Sequence, residues 1–193
     1  MIKNWQERGN EVRIVAGKHR SRVLKTLDGL DTRPTSDKVK EAVFSRIGPY
    51  FEGGIILDLF SGSGSIALEA ISRGFEKAII VDRSKKAINI IRSNVNLLKE
   101  ENSCEIWPVD YKKALSMCQK KQLKFDLIYL DPPYHLELIN ELVIKISEYD
   151  LLQKNGIIVS ESSDKEDIQV QSPFFIDKQL NYGTTKVTYI GKD

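Results

Sequence analysis

Between Ile55 and Glu161 short apolar runs alternate with amphipathic stretches, and this alternation constrains the fold more than any other feature of the chain. Ile55–Leu59 is an apolar run broken only by Asp58, and SGSG leads from it into a helical stretch, Ser65–Arg73, stopped by Gly74. Lys77–Val81 is a second apolar run. It is followed by Ser84–Leu98, where Ala87, Ile88, Ile91, Val95 and Leu98 fall on one helical face. Glu105–Val109 and Phe125–Leu130 read as third and fourth strands with a helix at Lys112–Lys120 between them. A helix near Leu136–Tyr149 then leads to a strand at Gly156–Glu161. Strands separated by helices imply crossover connections and a parallel sheet covered on both faces. The C-terminal stretch differs: Phe174–Asn181 and Lys186–Ile190 flank Tyr182-Gly183-Thr184 as an antiparallel hairpin. The expected class is α/β, with a mostly parallel sheet and a C-terminal antiparallel hairpin.

Open α/β sheets hold their ligands beyond the carboxyl ends of the strands, which directs attention to Asp58–Gly64, Asp82, Asp110 and Asp131–Tyr134. Each of the first four strands ends in or beside an aspartate. Gly62-Ser63-Gly64-Ser65-Ile66-Ala67 fits the Rossmann-like dinucleotide fingerprint GxGxxG/A, and Asp82 stands about where the acid for a ribose hydroxyl pair is expected. Asp58, four residues before Gly62, separates the candidate ligands. A pyrophosphate on a helix N-terminus wants donors and no nearby anion. S-adenosylmethionine has no phosphate, and its ammonium and sulfonium are both cationic. Asp58 therefore helps it, while Gly62 and Gly64 let the backbone approach closely. Asp82 can accept both ribose hydroxyls and Asp110 the adenine amino group. Any one strand-end aspartate has a plain alternative use, capping the next helix. Several at consecutive strand ends beside a Gly-x-Gly loop favour the cationic methyl donor.

Asp131-Pro132-Pro133-Tyr134 follows the strand FDLIYL. Two prolines stiffen the turn and remove two backbone donors, leaving its carbonyls as exposed acceptors. An exocyclic amine on a nucleobase is a poor nucleophile because its lone pair is delocalised into the ring. If the Asp131 carboxylate and the Pro132 carbonyl each accept one N–H, the nitrogen can pyramidalise and aim its lone pair at a sulfonium methyl. That is polarisation and alignment without a strong general base. Tyr134 offers a flat face on which an extruded base can stack; ordinary packing is its alternative role. His135 reads as a turn residue.

The chain has 193 residues, 41% of them apolar and 29% charged, with a net charge of +2, which excludes both a disordered tail and a membrane protein. Its start, MIKNWQERGNEVRI, carries charges where a secretory signal needs an apolar segment, so a cytoplasmic location is expected. Cys104 and Cys118 belong to no CxxC or Cys/His cluster, and no metal site is expected. The net charge conceals an asymmetry. Residues 1–48 hold eleven Lys/Arg against six acids, and the remainder carries a small negative excess. Val12–Val15 and Arg22–Lys25 read as a hairpin turned by Gly17, ahead of a helix capped by Thr35 or Ser36 with Val39, Ala42, Val43, Phe44 and Ile47 at helical spacing. From Arg13 to Lys25 there are five cations and His19 but no acid. Such a segment suits a polyanionic partner or, alternatively, a solvated edge hairpin protected from aggregation.

Taken together, RIVAGKHRSRVLKT, TRPTSDKVKEAVF, DLFSGSGSIALEAISRG and LDPPY resemble the bacterial small-subunit (16S) ribosomal RNA guanine-N2 methyltransferases of the RsmD type, from about Val12 to Ile190. The resemblance implies a seven-stranded class I methyltransferase sheet in a cytoplasmic enzyme, with one guanine of small-subunit RNA as acceptor and S-adenosylhomocysteine as second product. It implies that Asp58, Phe60, Gly62, Gly64, Asp82 and Asp110 line the cofactor site. Asp131, also near the cofactor, would act with Pro132 and Tyr134 at the transferring methyl. Residues 1–48 become an RNA-facing extension of a methyltransferase domain at 49–193, and Arg13, Lys18, His19, Arg20, Arg22 and Lys25 become phosphate contacts. Arg33, ahead of a helix N-terminus, would hold one more phosphate. The expected substrate is an assembled or assembling small subunit (30S particle), and the expected enzyme a monomer with no membrane contact. Ser61 and Ser45 depart from the family pattern, which commonly has Ala and Asn there. Rivals are a DNA adenine-N6 or cytosine-N4 methyltransferase, disfavoured by the lack of an obvious target-recognition domain, a nicotinamide oxidoreductase, disfavoured by Asp58, and a non-catalytic RNA-binding assembly protein.

Overall fold

A computed structural model describes residues 12–27 and 37–193. In chain order its elements are β1 (Val12–Arg13), β2 (Val23–Leu24), α1 (Asp37–Ile47), β3 (Ile55–Asp58), α2 (Ser65–Ser72), β4 (Lys77–Val81), α3 (Lys85–Leu98) and β5 (Cys104–Trp107). There follow α4 (Tyr111–Lys120), β6 (Phe125–Leu130), a 3-10 turn (Tyr134–Leu136), α5 (Ile139–Glu148), β7 (Leu152–Ser163), β8 (Phe174–Tyr182) and β9 (Thr185–Lys192). The expected caps Thr35 and Ser36 lie outside the described residues.

Seven strands form one sheet in the order β5-β4-β3-β6-β7-β9-β8. The first five are parallel, and β9 runs antiparallel to both β7 and β8. Successive strand residues point to opposite faces, so each parallel strand feeds two cores. Ile56, Ile80, Leu127, Tyr129 and Val159 join α2, α3 and α1 on one face, while Leu57, Ile79, Ile128 and Ile158 join α4 and α5 on the other. From β3 the chain first builds outward through β4 and β5, then returns to add β6 on the opposite side. The strand order therefore reverses at β3/β6, which opens a crevice beyond their carboxyl ends.

Several boundaries differ from the sequence expectation. β5 stops at Trp107 because Pro108 has no amide to donate. The segment after Asp131 forms a 3-10 turn first, and Glu137 at φ +45° breaks it from α5. β7 starts at Leu152, four residues before Gly156; its polar residues 153–155 are exposed and conceal strand character, and the register shifts between Phe125 and Leu127.

The N-terminal hairpin shares the core of the sheet. Val12, Ile14 and Leu24 are buried with α2 side chains. Glu69 of α2, fully buried, accepts the Val15 and Ala16 amides at 2.7 and 3.0 Å and the Arg73 Nε at 2.7 Å. Ser72 Oγ donates to the Ala16 carbonyl at 2.6 Å and accepts the His19 amide at 2.9 Å. Gly17, at φ +83°, sits so near this helix that a Cβ would lie 1.8 Å from the Ser72 carbonyl oxygen. On α3, the Asn94 amide group brackets the Lys25 backbone at 2.8 and 3.0 Å and donates to Ser63 at 2.9 Å, linking the hairpin to the glycine loop.

Candidate active site

Beyond the ends of β3, β4 and β6 lies a cleft of about 1210 Å3. The sequence between β3 and α2 builds its floor. The Ser61 amide donates to the Val81 carbonyl at 3.0 Å, which anchors the loop to β4, and the Gly64 amide donates to the Ser61 carbonyl at 2.7 Å. Gly62, at φ +55°, opens onto the cleft with no atom within 4 Å of where a Cβ would stand. Gly64, at φ +78°, is buried and does not line the cleft; it brings the start of α2 within van der Waals reach of Ile91.

Asp58, Phe60, Gly62, Asp82 and Asp110 all line this one cleft, as do Asp131, Pro132 and Tyr134. Asp58 is 2% exposed, and burial pushes its pKa to about 7. The Ser61 hydroxyl, which donates to the Asp58 carbonyl at 2.8 Å, and the Ala67 amide, 3.4 Å from the carboxylate, offset that only in part. Asp82 is likewise raised by burial, opposed by the Ser84 amide on Oδ1 at 2.7 Å and the Gly62 amide on Oδ2 at 3.0 Å. Asp110 also serves its structural alternative, capping α4 by accepting the Lys113 amide at 3.0 Å. Phe60 faces Tyr111 with ring centroids 5.6 Å apart, giving the β5 side of the cleft an aromatic wall.

Asp131 is raised well above the usual carboxylate range, first by burial and then by the charges of Glu161 and Asp58. Pro132 is buried against the turn, and Tyr134 stands half-exposed with its hydroxyl 3.1 Å from Thr185 Oγ1. The start of β9 thus steadies the rim. Neither Asp58 nor Asp131 has a salt-bridge partner among the described residues. Buried carboxylates without a cation are costly, so the cleft is poised for a cationic ligand. An open glycine, carboxylates at adjoining strand ends and an aromatic wall fit the ammonium, ribose and adenine of S-adenosylmethionine.

The basic residues of the hairpin lie outside the cleft. Arg13 Nε is 2.8 Å from Asp37, and Glu100 holds Lys18 at 2.7 Å and His19 at 2.5 Å. Arg20, Arg22 and Lys25 are exposed with no salt bridge among the described residues, and Thr26 and Leu27, just beyond them, reach the cleft rim. Arg33 lies outside the described residues. Lining groups that were not anticipated include Lys38, Arg83, Tyr111, Tyr129, Glu161 and Tyr182. Glu161 did carry a signal, since the expected strand Gly156–Glu161 ends on it as the others end in or beside aspartates; β7 in fact runs on to Ser163. A second, smaller groove of about 380 Å3 shares Arg83 with the cleft and is lined by Lys85 and Arg92 as well.

This fold and site define a class I S-adenosylmethionine-dependent methyltransferase. A family model described as Conserved hypothetical protein 95 matches residues 12–191. YlbH of Bacillus subtilis (strain 168) is 40% identical over 182 residues, covering 94% of this chain and 99% of its own. Ribosomal RNA small subunit methyltransferase D of Haemophilus influenzae is 36% identical over 154 residues, 79% of each chain. The structure of HI0767 from Haemophilus influenzae superposes with a TM-score of 0.78 at 28% identity, over 95% of this chain and 99% of that one. The chain belongs to the RsmD family of methyltransferases. Among the described residues no helix is long and apolar enough to cross a membrane.

Proposed function

We propose that this methyltransferase acts on ribosomal RNA, and that its acceptor is the exocyclic N2 amine of a guanine in the small subunit. The observation that carries the reading is the placement of Asp131-Pro132-Pro133-Tyr134 in the same cleft as Asp58 and Asp82, so that an acceptor for amine hydrogens faces the site for a cationic donor. Asp58 and Asp82 would hold the ammonium and the ribose hydroxyls, and Asp110 with Phe60 and Tyr111 the adenine. When bound, S-adenosylmethionine supplies an electrophilic methyl and is left as S-adenosylhomocysteine.

The chain's own part is to present the amine and to take up the proton it releases on methylation. The Asp131 carboxylate and the Pro132 carbonyl each accept an amine hydrogen, which localises the nitrogen lone pair, and the base stacks on Tyr134. The nitrogen gains the methyl and sheds one proton to Asp131. Burial, which raises the Asp131 pKa, makes its ionised form a better proton acceptor. Arg20, Arg22 and Lys25, together with Arg13, Lys18 and His19, are assigned to RNA phosphates, as is Arg33, which lies outside the described residues. The Haemophilus influenzae relative, a ribosomal RNA small subunit methyltransferase, supports the acceptor class.

Asp131→Ala tests the reading. Methyl transfer to small subunits should fall by about 100-fold or more while S-adenosylmethionine binding, followed by calorimetry, persists. Full activity in that variant would refute the assigned role.

A further inference from the structure

Glu161 has no part in the transfer proposed above, yet it is a buried acid that faces the amine-binding turn. Leu130 and Ser160 pair across β6 and β7 in parallel register. Asp131 and Glu161 are the next step along both strands, with backbones about 4.8 Å apart. Asp58 pairs with Tyr129, two residues before Asp131, so all three acids belong to one face of the sheet. Glu161 is 4% exposed, lines the cleft and raises the Asp131 pKa through its charge. The Tyr129 hydroxyl donates to Glu161 Oε1. That phenol is itself held protonated by burial and the surrounding carboxylates, so it serves Glu161 as a donor.

We infer that Asp131 and Glu161 form a two-carboxylate clamp that selects guanine among the nucleobases, Asp131 accepting an N2 hydrogen and Glu161 the N1 hydrogen. The inference rests on the amine-methylation reading and deepens it by naming the base. Guanine alone among the amine-bearing bases sets its amine beside a ring N–H. In adenine and cytosine the ring nitrogen beside the amine is an acceptor. A second carboxylate at that position gains a hydrogen bond from guanine; against the other two it meets a lone pair, which repels it. A site built around such a hydrogen bond rejects analogues lacking it far more strongly than an apolar pocket rejects a poor fit. Asp131 with Pro132 alone would accept any of the three amines. Glu161 supplies the discrimination.

The test compares small-subunit RNA carrying guanine or 2-aminopurine at the modified position, reconstituted into subunits. 2-Aminopurine keeps the N2 amine and replaces the N1 hydrogen by an acceptor. The wild-type enzyme should prefer guanine by about 100-fold or more in kcat/KM. Glu161→Gln, whose amide can donate to N1 of 2-aminopurine, should lose most transfer to guanine, narrow the preference by at least about tenfold, and keep S-adenosylmethionine binding. A wild-type ratio near one overturns the clamp without any variant, as does an unchanged ratio in a folded Glu161→Gln. Absence of transfer to the guanine RNA by the wild type is a different result: it overturns the amine-methylation reading, and the clamp with it.

Discussion

Asp58 illustrates how one residue's environment can be tuned by what it is meant to meet. Its carboxylate lies at the end of β3 with a pKa raised to about 7 by burial. In the empty cleft the folded state therefore binds a proton that the unfolded chain releases in the ordinary carboxylate range. Asp58 thus favours the fold in its neutral form, and that contribution is lost as pH rises from about 4 to about 7. A cationic ligand reverses the preference, because it binds the ionised form. S-adenosylmethionine affinity should rise with pH below about 7, by up to about tenfold per unit, and level off above it. Calorimetry across that range checks the slope, and Asp58→Asn should abolish it together with most of the affinity. A flat profile in the wild type would show that Asp58 does not face the cation.

At the scale of elements, α2 shows most clearly what sequence reasoning can and cannot read. Its glycine loop, its length and its stop at Gly74 were all legible, because φ-permissive residues and caps leave local signals. Its burial was not. All eight residues of α2 are buried, Glu69 included, because the N-terminal hairpin covers the side of the helix turned away from the sheet. Glu69 is held there by two backbone amides and Arg73, with Lys40 Nζ 3.9 Å away and donating to the Arg13 carbonyl at 2.5 Å. Glu69→Ala removes one partner of a buried pair and leaves Arg73 uncompensated, which should destabilise the fold by about 3–5 kcal/mol in denaturant titrations. It should also expose the Val15 and Ala16 amides to hydrogen exchange. A loss below about 1 kcal/mol would mean the hairpin is held by its apolar residues alone. The strand ends tell the opposite story. Asp58, Asp82, Asp110 and Asp131 were visible as a regularity and share one cleft, but Asp110 doubles as a helix cap, and Glu161, inside β7, was passed over because its strand was read as plain sheet.

Across the whole molecule, charge is divided between two tasks. The cleft gathers buried carboxylates, while the hairpin carries exposed cations outside it. The structure narrows the basic set: Glu100 already occupies Lys18 and His19, and Asp37 occupies Arg13. Arg20 and Arg22 are exposed and unbridged among the described residues, so they are the pair whose removal should be felt. Arg20→Glu with Arg22→Glu should weaken RNA binding, flatten the logarithmic salt dependence by about 1.4, at about 0.7 per lost phosphate contact, and leave S-adenosylmethionine affinity unchanged. Filter binding at several salt concentrations reads all of this; an unaltered slope would move the RNA path elsewhere, with the groove at Arg83, Lys85 and Arg92 as the next surface to probe. The central claim is that the two charge systems meet at one guanine amine. Incubating the enzyme with labelled methyl donor and unmodified small subunits, then mapping the labelled nucleotide, tests it most directly. The account predicts label on the N2 amine of a single guanine of the small-subunit RNA; label on an adenine or cytosine amine, or no label at all, would contradict it.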